Sequence, residues 1–245
     1  MTRVAEPMTS HTSHAVTNSL DLLHDTYNYN HWIYSLIRPH IGARVLEVGS
    51  GVGNMTQFLL SCDELICLEP EKDYLNHLLD MTRVHGNIRV VHSSMDGIPS
   101  TEVPEGTCDS VLCLNVLEHI EDDVDALGRM RGMLKEGGRI VLYVPACGWA
   151  YGAMDKAMMH YRRYSRTALR SLALRCDLRV TVCRYVNFIG LWGWWWAGRV
   201  RHESMIDPQK ARMMDRLVPY TSAIERLIKP PLGQSLLAVM TRGSR

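Results

Sequence analysis

Phenylalanine is almost missing from this chain, with two Phe against six Trp and ten Tyr. Its aromatic surface therefore comes mostly from rings with a polar handle, which suits half-wet positions better than a sealed core. Long apolar runs are missing too. The most apolar stretch, residues 186–198, falls short of the roughly 20 residues a bilayer span needs. Residues 1–14 are polar and lack the apolar core of a signal peptide, so a cytoplasmic protein is expected. The seven cysteines, Cys62, Cys67, Cys108, Cys113, Cys147, Cys176 and Cys183, contain no Cys-x-x-Cys. Several lie in apolar strand-like runs, where the thiol packs as a small hydrophobe, which excludes a zinc ribbon and fits a reducing compartment. No internal repeat or low-complexity linker divides the chain. One domain is expected: a flexible tail over residues 1–15, then residues 16–245, with an N-terminal helical cover at 16–40.

An excess of charge is missing overall, at a net +1, but not locally. Residues 1–155 hold roughly 10 Lys/Arg against 21 Asp/Glu, and residues 156–229 roughly 15 against 5. The basic third reads either as a solvated face or as a surface for something anionic.

What is present is organised around residues 44–54, Arg-Val-Leu-Glu-Val-Gly-Ser-Gly-Val-Gly-Asn. Val45, Leu46 and Val48 form a short buried strand stopped by Gly49, Gly51 and Gly53, and the apolar positions beyond (Met55, Phe58, Leu59) predict a helix to about Ser61. Glycines so spaced let a backbone turn sharply and approach a ligand that a Cβ would repel. A dinucleotide loop has the spacing Gly-x-Gly-x-x-Gly. Here it is one residue shorter and preceded by Glu47, which disfavours a pyrophosphate and favours a ligand with an ammonium group. The run resembles motif I of the class I, Rossmann-like S-adenosylmethionine (SAM) methyltransferases, small-molecule branch.

Further residues extend that resemblance in chain order. A second strand, Leu65 to Glu69, puts a carboxylate 20 positions beyond Gly49, where a ribose is bound; Pro70 turns the chain into a helix from Glu71 to Arg83. A third strand, Ile88 to His92, ends at Ser94, Met95 and Asp96. The fourth, Asp109 to Leu114, runs into Asn115-Val116-Leu117-Glu118-His119; a helix through Leu134 is expected to end at Gly137-Gly138, with Arg139 to Val144 as the fifth strand, and Leu134-Lys-Glu-Gly-Gly-Arg-Ile-Val-Leu142 extends the resemblance. The resemblance implies a three-layer α/β/α sandwich with a seven-stranded, mostly parallel sheet and an antiparallel last strand. It implies SAM as cofactor, held by Glu47, Gly49, Ser50, Gly51, Gly53, Glu69, Pro70, Ser94, Met95, Asn115, Val116 and Leu117, with Glu47 at the ammonium and Met95 against the adenine. No Asp/Glu/His constellation suggests a metal, so none is expected.

The acceptor side is expected between Pro145 and Tyr164. His160-Tyr-Arg-Arg-Tyr-Ser165 resembles a segment that opens a helix beside the site in several methyltransferase subfamilies, with Ser165 as N-cap. His160 and His119 are the candidate general bases, in that order. Tyr29, Trp149, Tyr151, Arg162, Arg163 and Tyr164 are candidate substrate contacts, the two arginines as anion forks. The insert at residues 188–231 carries Trp192, Trp194, Trp195 and Trp196, followed by Arg199 and Arg201. It reads as a packed helix or contact to a second copy, as a peripheral membrane segment, or as a lid. The resulting expectation is O-methylation of a small acceptor, anionic or carried on a lipid or carrier, and not of nucleic acid. The Asn/Asp-Pro-Pro-Tyr/Phe tetrad of base-modifying enzymes is absent after strand four. A SAM-binding membrane module without turnover and a nicotinamide-dependent oxidoreductase are the alternatives.

Overall fold

The computed structural model describes residues 26–243. The expected tail, and the first part of the expected N-terminal cover with Asn18, Leu20 and Leu23, lie outside them.

Alternating and continuous apolar runs form seven strands: β1 (Arg44–Val48), β2 (Glu64–Glu69), β3 (Ile88–His92), β4 (Cys108–Leu114), β5 (Leu134–Pro145), β6 (Leu178–Val186) and β7 (Ser235–Arg242). They pair in the order β3-β2-β1-β4-β5-β7-β6. β1 to β5 are parallel, and β7 runs antiparallel between β5 and β6. The order reverses between β1 and β4, and a sheet that splits there opens a crevice at the carboxyl ends of its strands. Leu46, Val48, Val111, Cys113, Leu142 and Val144 face one core layer, and Val45, Leu65, Cys67, Leu112, Val141 and Tyr143 the other. Both faces are buried, as continuous apolar strands require.

The helices are α1 (Tyr27–Ile37), α2 (Lys72–Val84), α3 (Asp123–Met133), α4 (Ala153–Ala157), α5 (Arg166–Arg175), α6 (Phe188–Trp195) and α7 (Pro208–Ile228). α6 runs on into a π-helical turn, Trp196–Val200. The expected Ser165 cap is in place, its Oγ accepting from the Ala168 N–H, and Asp122 caps α3 in the same way, Oδ1 accepting from the Asp125 N–H. Two helices are capped from a distance. Asp215 on α7 accepts the backbone N–H groups of Asn28 and Tyr29 at the start of α1. Glu225, also on α7, accepts those of Asn187 and Phe188 at the start of α6. Carboxylates at helix N-termini satisfy orphan donors and the helix dipole. One long helix thereby holds both covering elements.

Two expectations need correction. The glycine loop opens into no α-helix; a single 3-10 turn, Thr56–Phe58, is all that forms. The chain there runs through turns, and the amide of Asn87 bonds the carbonyls of Leu60 and Cys62. β5 begins at Leu134, ahead of Arg139, because Leu134 pairs with Cys108 across a register shift and α3 has already ended at Met133. Among the described residues no helix is long and apolar enough to cross a membrane.

Candidate active site

The crevice has two sides. On the first, the glycine loop follows β1, with Gly49, Gly51 and Gly53 at φ of +69°, +55° and +87°. These left-handed values favour glycine. Two of the three are glycine for the protein's own sake: a Cβ on Gly49 would sit 2.5 Å from Val116 Cγ2, and one on Gly53 would sit 3.0 Å from Met81 Sδ. Ligand approach is therefore not what fixes those two positions. The loop's N–H groups are turned inward. Those of Gly49 and Ser50 bond Leu68 O, that of Gly53 bonds Ser50 O, and that of Gly51 bonds Glu69 Oε2 at 2.6 Å. A pyrophosphate needs such groups free; here they are committed.

Glu69 also accepts the Glu71 N–H through Oε1, at 2.9 Å, and lies buried at the tip of β2 beside Pro70. Burial raises its pKa against the lowering effect of those two backbone bonds. Each carboxylate oxygen thus takes one N–H and retains acceptor capacity for a second donor, such as a ribose hydroxyl. The Glu47 carboxylate is buried beneath the loop, accepting from Thr56 Oγ1 at 2.6 Å with Cys67 Sγ at 3.8 Å, and burial pushes its pKa up to about 7. It braces the loop from below. Ser94 is exposed, whereas Met95 is packed into the core.

The second side is built on the tip of β4. Asn115, at φ +55°, turns the chain, and its N–H bonds Tyr143 O. A 3-10 turn, Leu117–His119, follows. The Glu118 carbonyl accepts the Tyr161 N–H, which fastens the 146–164 loop to the strand tip. The rings of His119 and His160 meet edge to face, centroids 4.7 Å apart. Glu118 is 1% exposed, its Oε2 has no hydrogen-bond partner, and burial raises its pKa to about 8. Burial and the neighbouring His160 lower that of His119 to about 4, so His119 is neutral at pH 7.

Asp155 holds this side together. It is fully buried, and its Oδ1 accepts from His160 Nδ1 at 2.9 Å and Arg163 Nε at 2.7 Å. Its Oδ2 accepts from the Gly152 N–H at 2.9 Å and Trp194 Nε1 at 3.1 Å. Burial alone would raise its pKa, but the His160 bond and the Arg163 charge bring the net shift below the ordinary aspartate value. Arg163 lies over the Trp194 ring, 5.1 Å from its centroid, and its Nη1 donates to Ala146 O. Gly152 packs on Gly198, where a Cβ would come within 2.8 Å of the backbone. The tryptophan insert is thus locked to the acceptor loop.

Several expected acceptor contacts are consequently occupied within the protein. The Arg163 side chain is 1% exposed in its pair with Asp155 and is part of the scaffold, not an open anion fork. Arg162 bonds Asp123 at 2.8 Å and Glu121 O at 2.6 Å. Tyr164 is buried and donates to Asp123 Oδ2, and Tyr151 donates to His160 O. Tyr29 is hydrogen-bonded with Tyr143 at 3.1 Å on the α1 side of the sheet. Trp149, 45% exposed, and Trp192, 46% exposed, lie 6.0 Å apart and remain open to solvent. Sequence reasoning put Glu118 at the β4 tip and Asp155 in the loop beside the site but assigned neither a role; nothing local marks Asp155 as the partner of His160 and Arg163.

Residues 46–142 match the family model described as a methyltransferase domain. That stretch is a methyltransferase domain. A methyltransferase domain implies S-adenosylmethionine as cofactor, and the residues present fit that group: four of the loop's N–H groups are already bonded within the protein, and Glu69 presents remaining acceptor capacity at the β2 tip. No curated protein matches in sequence. A chain of the complex between the Haloferax volcanii Trm112 methyltransferase activator and a methyltransferase superposes at TM-score 0.69 and 14% identity, covering 98% of this chain and 100% of its own. A SAM-dependent methyltransferase from Thermotoga maritima superposes at 0.61 and 15%, covering 96% and 100%. The [4+2]-cyclase SpnF superposes at 0.59 and 13%, covering 87% and 81%. A cyclase among the methyltransferases shows that likeness at this level speaks to fold alone.

Proposed function

We propose that this methyltransferase transfers its methyl group to a hydroxyl oxygen of a small acceptor that is anionic or attached to a carrier or lipid, with the acceptor's proton drawn toward His160. The observation that carries this reading is the His160–Asp155 pair beside the β4 tip. The Nδ1 bond to a buried carboxylate fixes the ring and leaves Nε2 to face a proton donor. SAM, once bound, supplies a methyl on a sulfonium, already activated for displacement. The chain's main task is then alignment, which can supply roughly 7–11 kcal/mol, with base assistance adding about 10²–10⁴-fold. Glu69 and Pro70, the glycine loop with Ser50, Ser94 and Met95, and Asn115, Val116 and Leu117 flank the cofactor in this reading, Glu47 acting through Thr56. Trp149, with Trp192 and Trp196 of the insert, forms the acceptor's apolar border. With Arg162 and Arg163 engaged internally, attraction of an anion falls to the general positive charge of residues 156–229, including exposed Lys156 and Arg199.

The test is tritium transfer from methyl-labelled SAM into matched hydroxyl, amine and carboxylate acceptors, including lipid-linked ones. Transfer to a hydroxyl, reduced about 10²-fold in His160→Asn with SAM affinity unchanged, is expected. Transfer to amines that His160→Asn leaves intact would overturn the reading.

The exposed indoles favour one second reading, a membrane-associated SAM-binding module without turnover. Trp192 and Trp196 are 46% and 54% exposed, with Arg199 close behind. Vesicle co-sedimentation together with a null result across all acceptors would favour it; turnover with any acceptor would exclude it.

A further inference from the structure

We infer that Glu118, His119 and His160 form a site for a divalent first-row transition ion, with an open coordination position facing the acceptor. One ligand atom from each of the three lies within 4.8 Å of those of the other two. Three features of the geometry go beyond proximity. First, Asp155 Oδ1 holds His160 Nδ1 at 2.9 Å, the carboxylate–histidine arrangement that orients metal-ligating imidazoles and leaves Nε2 for the ion. Second, the two rings stand at 81° to each other, close enough for both to reach a single ion. Third, Glu118 is 1% exposed and its Oε2 has no hydrogen-bond partner. An orphaned buried carboxylate oxygen is costly, and a cation among these three groups would satisfy it.

The donor set selects the ion. Two imidazoles and one carboxylate suit zinc and its neighbours, and they form a three-ligand set of the kind that keeps a fourth position open for chemistry. Magnesium and calcium prefer oxygen donors throughout. The sequence hid the site because His160 lies 41 positions beyond His119 and only the loop anchored by Asp155 returns it to the strand tip.

The chemical consequence rests on the proposed hydroxyl acceptor; the binding of the ion does not. With the acceptor's hydroxyl oxygen at the open position, the ion would accept its lone pair and ease loss of its proton to solvent water. The draw on that proton, assigned above to His160, is then exerted through the ion that His160 ligates.

Protein treated with a chelator and dialysed is titrated calorimetrically with Zn²⁺ and, separately, with Co²⁺, whose visible absorption reports ligand geometry. One equivalent is expected to bind, with Co²⁺ bands of low coordination number. Glu118→Gln and His119→Asn are expected to weaken binding at least tenfold each, with SAM affinity within twofold of wild type as proof of folding. No binding by the wild-type protein, or stoichiometric binding that both variants retain, would overturn the inference. Methyl transfer that persists in chelator without bound metal would also overturn it while leaving the proposed hydroxyl methylation intact. Metal binding with transfer only to amines would keep the site and sink the acceptor reading.

Discussion

The cofactor side and the acceptor side of one crevice are built on opposite plans. Around the glycine loop, polar groups are paired off one by one: Glu69 by N–H groups of Gly51 and Glu71, Glu47 by Thr56, and the N–H groups of Gly49, Ser50, Gly51 and Gly53 by Leu68, Glu69 and Ser50. Around β4 they converge on one carboxylate, Asp155, which holds His160, Arg163 and Trp194, and one buried oxygen of Glu118 is left over. A side whose polar groups are paired separately can be rigid before the ligand arrives. A side gathered on one carboxylate depends on that hub.

The hub is where that contrast is most easily broken. Asp155→Asn removes the charge facing a fully buried Arg163 and is expected to cost about 3–5 kcal/mol of stability, read as a shift in denaturant midpoint. A midpoint close to wild type would mean that the acceptor side does not depend on Asp155. On the cofactor side, Glu47 makes stability depend on pH. Its folded pKa, about 7, is raised above the ordinary carboxylate value. Its contribution is therefore fully present below about pH 4.5 and is lost as pH rises through 7, a change on the order of 3 kcal/mol. Glu47→Gln should flatten that part of the stability curve, and an unchanged slope would place the titration elsewhere.

Smaller effects sharpen the picture. Gly49→Ala adds a Cβ 2.5 Å from Val116 at a left-handed φ and is expected to destabilise by about 1–3 kcal/mol. Val116→Ala in the same chain should recover part of this in a double-mutant cycle, and strict additivity would refute the contact. Trp194→Phe removes the indole donor to Asp155 and should cost about 1 kcal/mol. Its effect ought to vanish in an Asp155→Asn background.

β1 to β4 were legible in the sequence from apolar runs and turn residues whose causes are local, and so were the Glu69 position and the Ser165 cap. The seven-stranded sheet and its antiparallel last strand came with the resemblance. After Gly53 the chain makes turns in place of the expected helix, and Asn87, beyond the end of α2, bonds the carbonyls of Leu60 and Cys62. Arg162 and Arg163 were read as open forks because their partners, Asp123 and Asp155, meet them only after folding. Composition also hid the role of Trp194: among four clustered indoles, nothing in the sequence marks it as the one bonded to Asp155.

The most direct test of the two-sided crevice is calorimetric titration of SAM into the wild-type protein, Glu69→Gln and His160→Asn. A fall in SAM affinity of about tenfold or more in Glu69→Gln, with His160→Asn within twofold of wild type, is the predicted result. Equal losses in both variants, or binding of NAD in place of SAM, would contradict the division of the site.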